Sequence, residues 1–259
     1  MAHDAWNPDQ YERFRQQRSQ PFFDLLAMVQ TGPPMRVVDL GCGTGELTRT
    51  LHERLAAHET LGLDSSDAML AKSQEHAGGG LRFELGDIAA FARAAGNEYD
   101  LIFSNAALQW LGDHPALLAQ LAARLAPGGQ LAVQVPANED HLSHAVAREV
   151  AGEAPFRVAL NGHVRVFGTM PPERYASLLD RLGFARQEVV LRVYGHHLPG
   201  REDVVEWVRG TLLTDYQRRL PGSLFDRFLA RYREVLLPQL ADTHPYFYPF
   251  KRVLFWAQR

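Results

Sequence analysis

The residues best able to do chemistry stand where short apolar runs end. Val37-Val38-Asp39-Leu40 leads into Gly41-Cys42-Gly43-Thr44-Gly45, and a helical pattern opens at Glu46. Glycine tolerates positive φ and carries no side chain, so the backbone there can turn sharply and lie against a ligand. The spacing is G-x-G-x-G, without the third glycine of the dinucleotide fingerprint G-x-G-x-x-G at its offset. A second run, Leu61-Gly62-Leu63, ends at Asp64-Ser65-Ser66. A carboxylate at a strand end can accept hydrogen bonds from both hydroxyls of a ribose. Ser66 or Asp67 is the better cap for the next helix, which leaves Asp64 for a ligand. Gly86-Asp87-Ile88 closes a third run, and Tyr99-Asp100-Leu101-Ile102-Phe103-Ser104-Asn105 is a fourth, followed by Ala106-Ala107-Leu108-Gln109-Trp110.

These residues need elements to hold them. The pattern predicts helices over 46–55, 68–75 and 115–125, and strands over 37–40, 60–63, 81–85, 100–103 and 130–135. Alternation at this spacing implies a parallel sheet with helices on both faces, and such sheets bind ligands beyond the carboxyl ends of their strands. Residues 11–29 read as helical with a break at Pro21. Further on, 140–152 and 172–182 are helical, 187–194 is a strand, 202–209 and 224–237 are helices, and 252–256 is a final strand. The expected organisation is a helical lid segment over 1–30, a core over 31–194, a helical cap over 195–249 packed on the carboxyl edge of the sheet, and a last core strand over 250–259.

Bulk properties exclude several classes. The 259 residues are 46% hydrophobic and 22% charged, ordinary for a globular protein. A formal net charge of −3 lacks the basic surplus that nucleic acid would attract, so no nucleic-acid partner is expected. The single cysteine, Cys42, permits no internal disulfide and makes a cysteine metal site unexpected. No run approaches the roughly 18 apolar residues of a membrane span, and the N-terminus lacks a basic and then apolar leader pattern. A soluble, cytoplasmic protein with no metal and no membrane partner is the expectation.

Asp39-Leu40-Gly41-Cys42-Gly43-Thr44-Gly45 resembles the first motif of the class I methyltransferases. The resemblance implies a Rossmann-like α/β fold, a seven-stranded mostly parallel sheet with a helical cap, and S-adenosyl-L-methionine as cofactor. It implies that Gly41, Gly43 and Gly45 lie against the amino-acid end of the cofactor while Asp39 orients its ammonium. Asp64 and Ser65 then face the ribose, Asp87 the adenine amine, and Ile88 the adenine ring. Asn105, Ala106 and Leu108 line the methyl-transfer position, with Gln109 and Trp110 placed to contact substrate or to serve as core. Adenine methylases of DNA carry Asp/Asn-Pro-Pro-Tyr/Phe at this strand end, and Asn105-Ala106-Ala107-Leu108 departs from it. Leu125-Ala126-Pro127-Gly128-Gly129 completes the family pattern.

Several segments resemble the trans-aconitate 2-methyltransferase family in particular. They are Trp6-Asn7-Pro8 with Tyr11, Phe14, Arg18 and Pro21; Leu108-Gln109-Trp110-Leu111 with Asp113-His114; and Ala132-Val133-Gln134-Val135-Pro136. Phe250 and Arg252 add to them near the C-terminus. The family methylates one carboxylate of a small polycarboxylic acid. A carboxylate is ionised at neutral pH, so it needs cationic and hydroxyl groups to position it and no catalytic base. Candidate clamps are Arg18, Tyr194, His196, Trp207 and Arg252. Each also has a plain reading, as a solvated helix arginine, a loop histidine, cap core or a strand-end charge. The resemblance implies methylation of one carboxylate of trans-aconitate to a monomethyl ester. The family carries an arginine where this chain has Thr214, followed by Asp215; if that arginine binds a substrate carboxylate, the alternative is a substrate with fewer carboxylates or another small acid. A hydroxyl or carbon acceptor would instead need a base, for which His114, His163, His196 and His244 are available. The alternatives are a methyltransferase for another small molecule and, in a different class, a nicotinamide-dependent oxidoreductase or a non-catalytic binding module.

Overall fold

The structure, a computed structural model, describes residues 15–32, 34–96 and 98–259, with side chains described from Ser19 onward. Seven strands form one sheet: β1 (Arg36–Leu40), β2 (Glu59–Asp64), β3 (Leu81–Leu85), β4 (Tyr99–Asn105), β5 (Leu125–Pro136), β6 (Arg186–Leu198) and β7 (Tyr246–Gln258). Their order is β3-β2-β1-β4-β5-β7-β6. The first five are parallel to their neighbours, and β7 runs antiparallel to β5. The chain leaves β1 for β2 on one side and returns to β4 on the other. That reversal opens a crevice at the carboxyl ends of β1 and β4.

The residues cluster into two units. One comprises 18–137, 168–192 and 251–259. It carries α1 (Arg15–Leu26, from Arg18 on), α2 (Glu46–Arg54), α3 (Asp67–Ser73), α4 (Ile88–Arg93), α5 (His114–Ala123) and, later in the chain, α8 (Pro172–Arg181). β1 is buried on both faces, with Val37, Val38 and Leu40 fully inside, which is why its sequence is a continuous apolar run. Its core joins Val38, Ile102, Leu118, Val133 and Phe255. Truncating a leucine such as Leu118 to alanine there costs about 2–5 kcal/mol.

Among the described residues the other unit takes in 15–17, 138–167 and 193–250. It holds α6 (Leu142–Gly152), α7 (Phe156–Ala159), α9 (Glu202–Arg209), α10 (Thr214–Arg219) and α11 (Gly222–Leu236). In α11, Phe225, Phe228, Tyr232 and Leu236 recur at helical spacing and are all buried. Phe228 meets Tyr216 at 5.1 Å and Phe156 at 5.3 Å between ring centroids. Residues 138–167 cluster with this helical unit rather than with the sheet.

Three local expectations differ from the structure. Pro21 does not break α1; proline removes one helix hydrogen bond, while Phe22 against the Phe103 ring at 5.4 Å and the buried Leu25 hold the turn. The Pro127-Gly128-Gly129 turn lies within β5 as an irregularity, where pairing jumps from Tyr99–Leu125 to Leu101–Gln130. The last strand starts at Tyr246, six residues early; Pro249 argues against a strand, yet Tyr246, Tyr248 and Phe250 alternate inward. No helix among the described residues is long and apolar enough to cross a membrane.

Candidate active site

β1 delivers Asp39 to the crevice at 5% exposure, where Thr48 on α2 donates to its Oδ2 at 2.6 Å. Burial pushes the Asp39 carboxyl up to about 7, against the Thr48 bond that lowers it, and the charge of Asp64 adds to the rise. No cation among the described residues offsets this acid. A buried carboxylate in that state favours a cationic ligand group.

Gly41, Gly43 and Gly45 all have positive φ, at 82°, 56° and 80°. Gly41 and Gly45 serve the protein's own packing. A Cβ at Gly41 would run into Ala107, and one at Gly45 would lie 2.7 Å from Phe83 and Ser73. A Cβ at Gly43 would meet nothing within 4 Å, so this residue borders open space. The amides of Gly41 and Cys42 donate to Leu63 O, that of Gly45 to Cys42 O, and that of Gly43 to Asp64 Oδ2. With four loop amides spent internally, the turn offers close backbone approach rather than a phosphate cradle. A pyrophosphate-bearing dinucleotide would need those donors free.

Asp64 ends β2. Its Oδ2 takes the Gly43 N–H and its Oδ1 the Ser66 N–H, each at 2.9 Å. Each oxygen is fixed by one donor and keeps a lone pair for a hydroxyl. Ser66 Oγ caps α3 by accepting from Met69 N at 3.3 Å, as expected, while Ser65 is exposed. Asp87, also exposed, caps α4 by accepting the Ala90 N–H on Oδ1 at 2.7 Å, and half-buried Ile88 opens that helix. Its second oxygen has no protein partner among the described residues.

β4 is anchored to β1 by Ser104 Oγ, which donates to Leu40 O at 2.8 Å. At its end Ala106 adopts φ 58°, a left-handed conformation uncommon for a residue with a Cβ and typical of functional turns. Gln109 Nε2 donates to Ala106 O at 2.6 Å and steadies that turn. The Asn105 Oδ1 and Gln109 Oε1 atoms are buried with no partner among the described residues. Leu108 is fully buried in the core and Trp110 half-buried. His114 pins this turn. Its Nε2 meets Leu108 O at 2.9 Å and must donate, so its Nδ1 accepts from Tyr175 Oη at 2.6 Å. Burial holds its pKa below the usual range. With both nitrogens engaged, His114 is a brace and not a base. Arg252 on β7 is 5% exposed, and its Nη1 donates to Gln134 Oε1 at 3.3 Å.

The remaining predicted site residues lie in the helical unit, except Arg18, whose side chain is outside the described residues. The stretch containing Trp6, Asn7, Pro8, Tyr11 and Phe14 is outside them too. Tyr194 is half-buried on β6. His196 stacks on Trp207 at 4.8 Å, and Trp207 packs on Tyr248 and Phe250 at 5.7 Å each. Trp207 is therefore core of this unit. Asp215 is not a stray negative charge. His163 Nε2 donates to it at 2.7 Å and Arg219 Nε at 3.1 Å, with Arg165 Nη1 at 3.7 Å. Burial pushes its carboxyl up, but these partners outweigh burial and hold it below the usual range. Thr214 Oγ1 closes onto Thr211 O at 2.6 Å. Sequence reasoning missed Thr48, which stands only nine residues from Asp39, and Ser104 and Tyr175, whose roles rest on contacts across the fold; Gln134, a lone amide in an apolar strand, was visible in the sequence.

The geometry agrees with the comparisons. The family profile described as a methyltransferase domain matches residues 11–189. The chain is 48% identical over 262 residues to the trans-aconitate 2-methyltransferase of Deinococcus radiodurans, covering 98% of each. It is 42% identical over 228 residues to that of Variovorax paradoxus, covering 88% of this chain and 87% of the other. The YcgJ protein of Bacillus subtilis has the same fold, with a TM-score of 0.61 at 15% identity, over 93% of this chain and 98% of that one. The chain thus belongs to the trans-aconitate 2-methyltransferase family, and with it to the S-adenosyl-L-methionine-dependent methyltransferases of class I fold.

Proposed function

We propose that this methyltransferase converts one carboxylate of a small polycarboxylic acid, trans-aconitate, to a monomethyl ester. The observation that carries the reading is the full-length likeness to the Deinococcus radiodurans enzyme of that name. The matched charge of Asp215 supports it further, because the acid beside Thr214 no longer argues for a substrate with fewer carboxylates.

In this reading the cofactor supplies an electrophilic methyl group, and the chain supplies positions. Asp39, buried with no cation beside it among the described residues, takes the ammonium; the turn from Gly41 to Gly45, open at Gly43, lets the backbone lie close; Asp64, beside Ser65, accepts the ribose hydroxyls. Asp87 offers its second oxygen to the adenine amine and Ile88 a wall to the ring. Asn105, Ala106 and the turn at Leu108 border the methyl-transfer position. The acceptor carboxylate is already ionised, so no catalytic base is needed. Arg252, Gln109 and Trp110, with Arg18, all in the sheet unit, are the proposed substrate contacts.

Labelled S-adenosyl-L-methionine offered with trans-aconitate, cis-aconitate, citrate, isocitrate and several monocarboxylic acids tests the reading. A base-labile ester formed preferentially on trans-aconitate supports it. No product with any acid, from protein that binds the cofactor, discards the substrate and keeps the methyltransferase.

A further inference from the structure

Within the apolar run Leu131-Ala132-Val133-Gln134-Val135 of β5 there is one amide. Gln134 is 0% exposed. Its Oε1 accepts from Arg252 Nη1, and a guanidinium can only donate, so this bond fixes which end of the amide is oxygen. Nε2 is thereby a committed donor. It is buried and meets no acceptor among the described residues. Its register partner on the neighbouring parallel strand is Asn105, whose Oδ1 is also buried and unmatched. Register partners project from the same face, and Ala106 N–H donates to Gln134 O at 3.0 Å, locking the two strand ends together. Buried polar side-chain atoms are nearly always satisfied in a folded protein, so a donor held open beside a guanidinium calls for an acceptor-only ligand group.

We propose that Gln134 is a substrate-binding residue, its Nε2 donating to a carboxylate oxygen of the acid while Arg252 supplies the neighbouring charge. The pair favours a carboxylate over a neutral group, because an anionic oxygen makes the stronger, charge-assisted bond beside a guanidinium. The inference rests on the acceptor being a small acid.

Two full-length variants test it. Gln134→Glu keeps the tie to Arg252, since a carboxylate accepts the same guanidinium bond, but puts an acceptor where the donor was. Gln134→Met removes both. The expected result for Gln134→Glu is a KM for trans-aconitate raised about 30-fold, with S-adenosylhomocysteine affinity within twofold of wild type. For Gln134→Met the expected rise is about tenfold, again without change in cofactor affinity. A rise in melting temperature on adding S-adenosylhomocysteine shows that each variant is folded. A Gln134→Glu protein with wild-type KM would make Gln134 only a strut for Arg252 and overturn the proposal. So would a fall in cofactor affinity matching the change in KM. If the wild-type enzyme methylates none of the acids, the acceptor reading fails and takes this inference with it. An active wild type with an unaffected Gln134→Glu defeats this inference alone.

Discussion

The two edges of one sheet are built on opposite plans. At the amino edge, where β1, β2, β3 and β4 begin, charges are matched with one another. Arg36 pairs with Glu59 at 3.1 Å and Glu98 at 3.2 Å, Arg82 pairs with Glu59, and Arg124 reaches Glu98 at 3.0 Å. Arg124 also lies over the Phe91 ring at 4.6 Å, and its Nε alone stays without a partner. At the carboxyl edge, among the described residues, an acid is buried without a cation, a non-glycine residue adopts positive φ, and Asn105, Gln109 and Gln134 bury polar atoms without a partner. Each of these costs stability. The same strands could have closed that edge as they closed the other. Leaving it open is what a binding site requires, and the difference between the edges supports the site proposed at the carboxyl edge.

Mutations should therefore act unequally. The largest effect is expected at Arg252. Its loss to alanine removes a buried cation from an anionic substrate, so the KM for trans-aconitate should rise about 100-fold or more, with cofactor affinity within twofold. Steady-state kinetics beside calorimetry reads both. If cofactor affinity falls in step, Arg252 is structural and the carboxyl edge has lost its substrate cation.

Next is a pH effect specific to the open edge. With the Asp39 carboxyl at about 7, the free protein below that pH holds a proton which a cationic ligand must displace. S-adenosylhomocysteine should therefore bind roughly tenfold more tightly at pH 8 than at pH 6, with most of the gain reached just above pH 7. Asp39→Asn should bind weakly at both pH values, with no such slope. A flat wild-type profile would place the ammonium elsewhere.

A smaller change sharpens the same point. Thr48→Val deletes the hydrogen bond that lowers the Asp39 pKa, so the bend in the affinity profile should move to higher pH. Affinity at pH 7 should weaken about threefold and recover by pH 9. Weakening equally at both pH values would mean that Thr48 merely shapes the loop. The smallest effect belongs to the amino edge. Glu59→Gln removes exposed pairs, so thermal unfolding should register no more than about 1 kcal/mol and kcat/KM should not change. A large loss of activity there would erase the distinction between the edges.

Much of the open edge was legible in the sequence because its elements are local. Glycine spacing, an acid two residues upstream and a run of valines specify a strand, a turn and a helix within about a dozen residues. Asp64, Asp87 and Asn105 were legible for the same reason, Asp64 and Asn105 ending a recognisable strand and Asp87 following one closely. What was not legible depends on partners far along the chain. Asp215 read as a hostile charge until His163, Arg165 and Arg219 proved to surround it. Trp207 read as a substrate contact, yet it is packed among the Tyr248 and Phe250 rings. His114 read as an available base, and only the fold brings Tyr175 to its second nitrogen. The early start of β7 was hidden by Pro249, since neither propensity nor pattern favours a strand through proline.

The most direct measurement is calorimetric titration of S-adenosylhomocysteine into wild-type, Asp64→Ala and Glu59→Gln proteins. These acids stand at opposite ends of β2. Asp64→Ala should bind about 30-fold more weakly or worse, through loss of ribose hydrogen bonds and of the anchor for Gly43, while Glu59→Gln should match wild type. Equal affinity in all three proteins would contradict the assignment of the cofactor to the carboxyl edge.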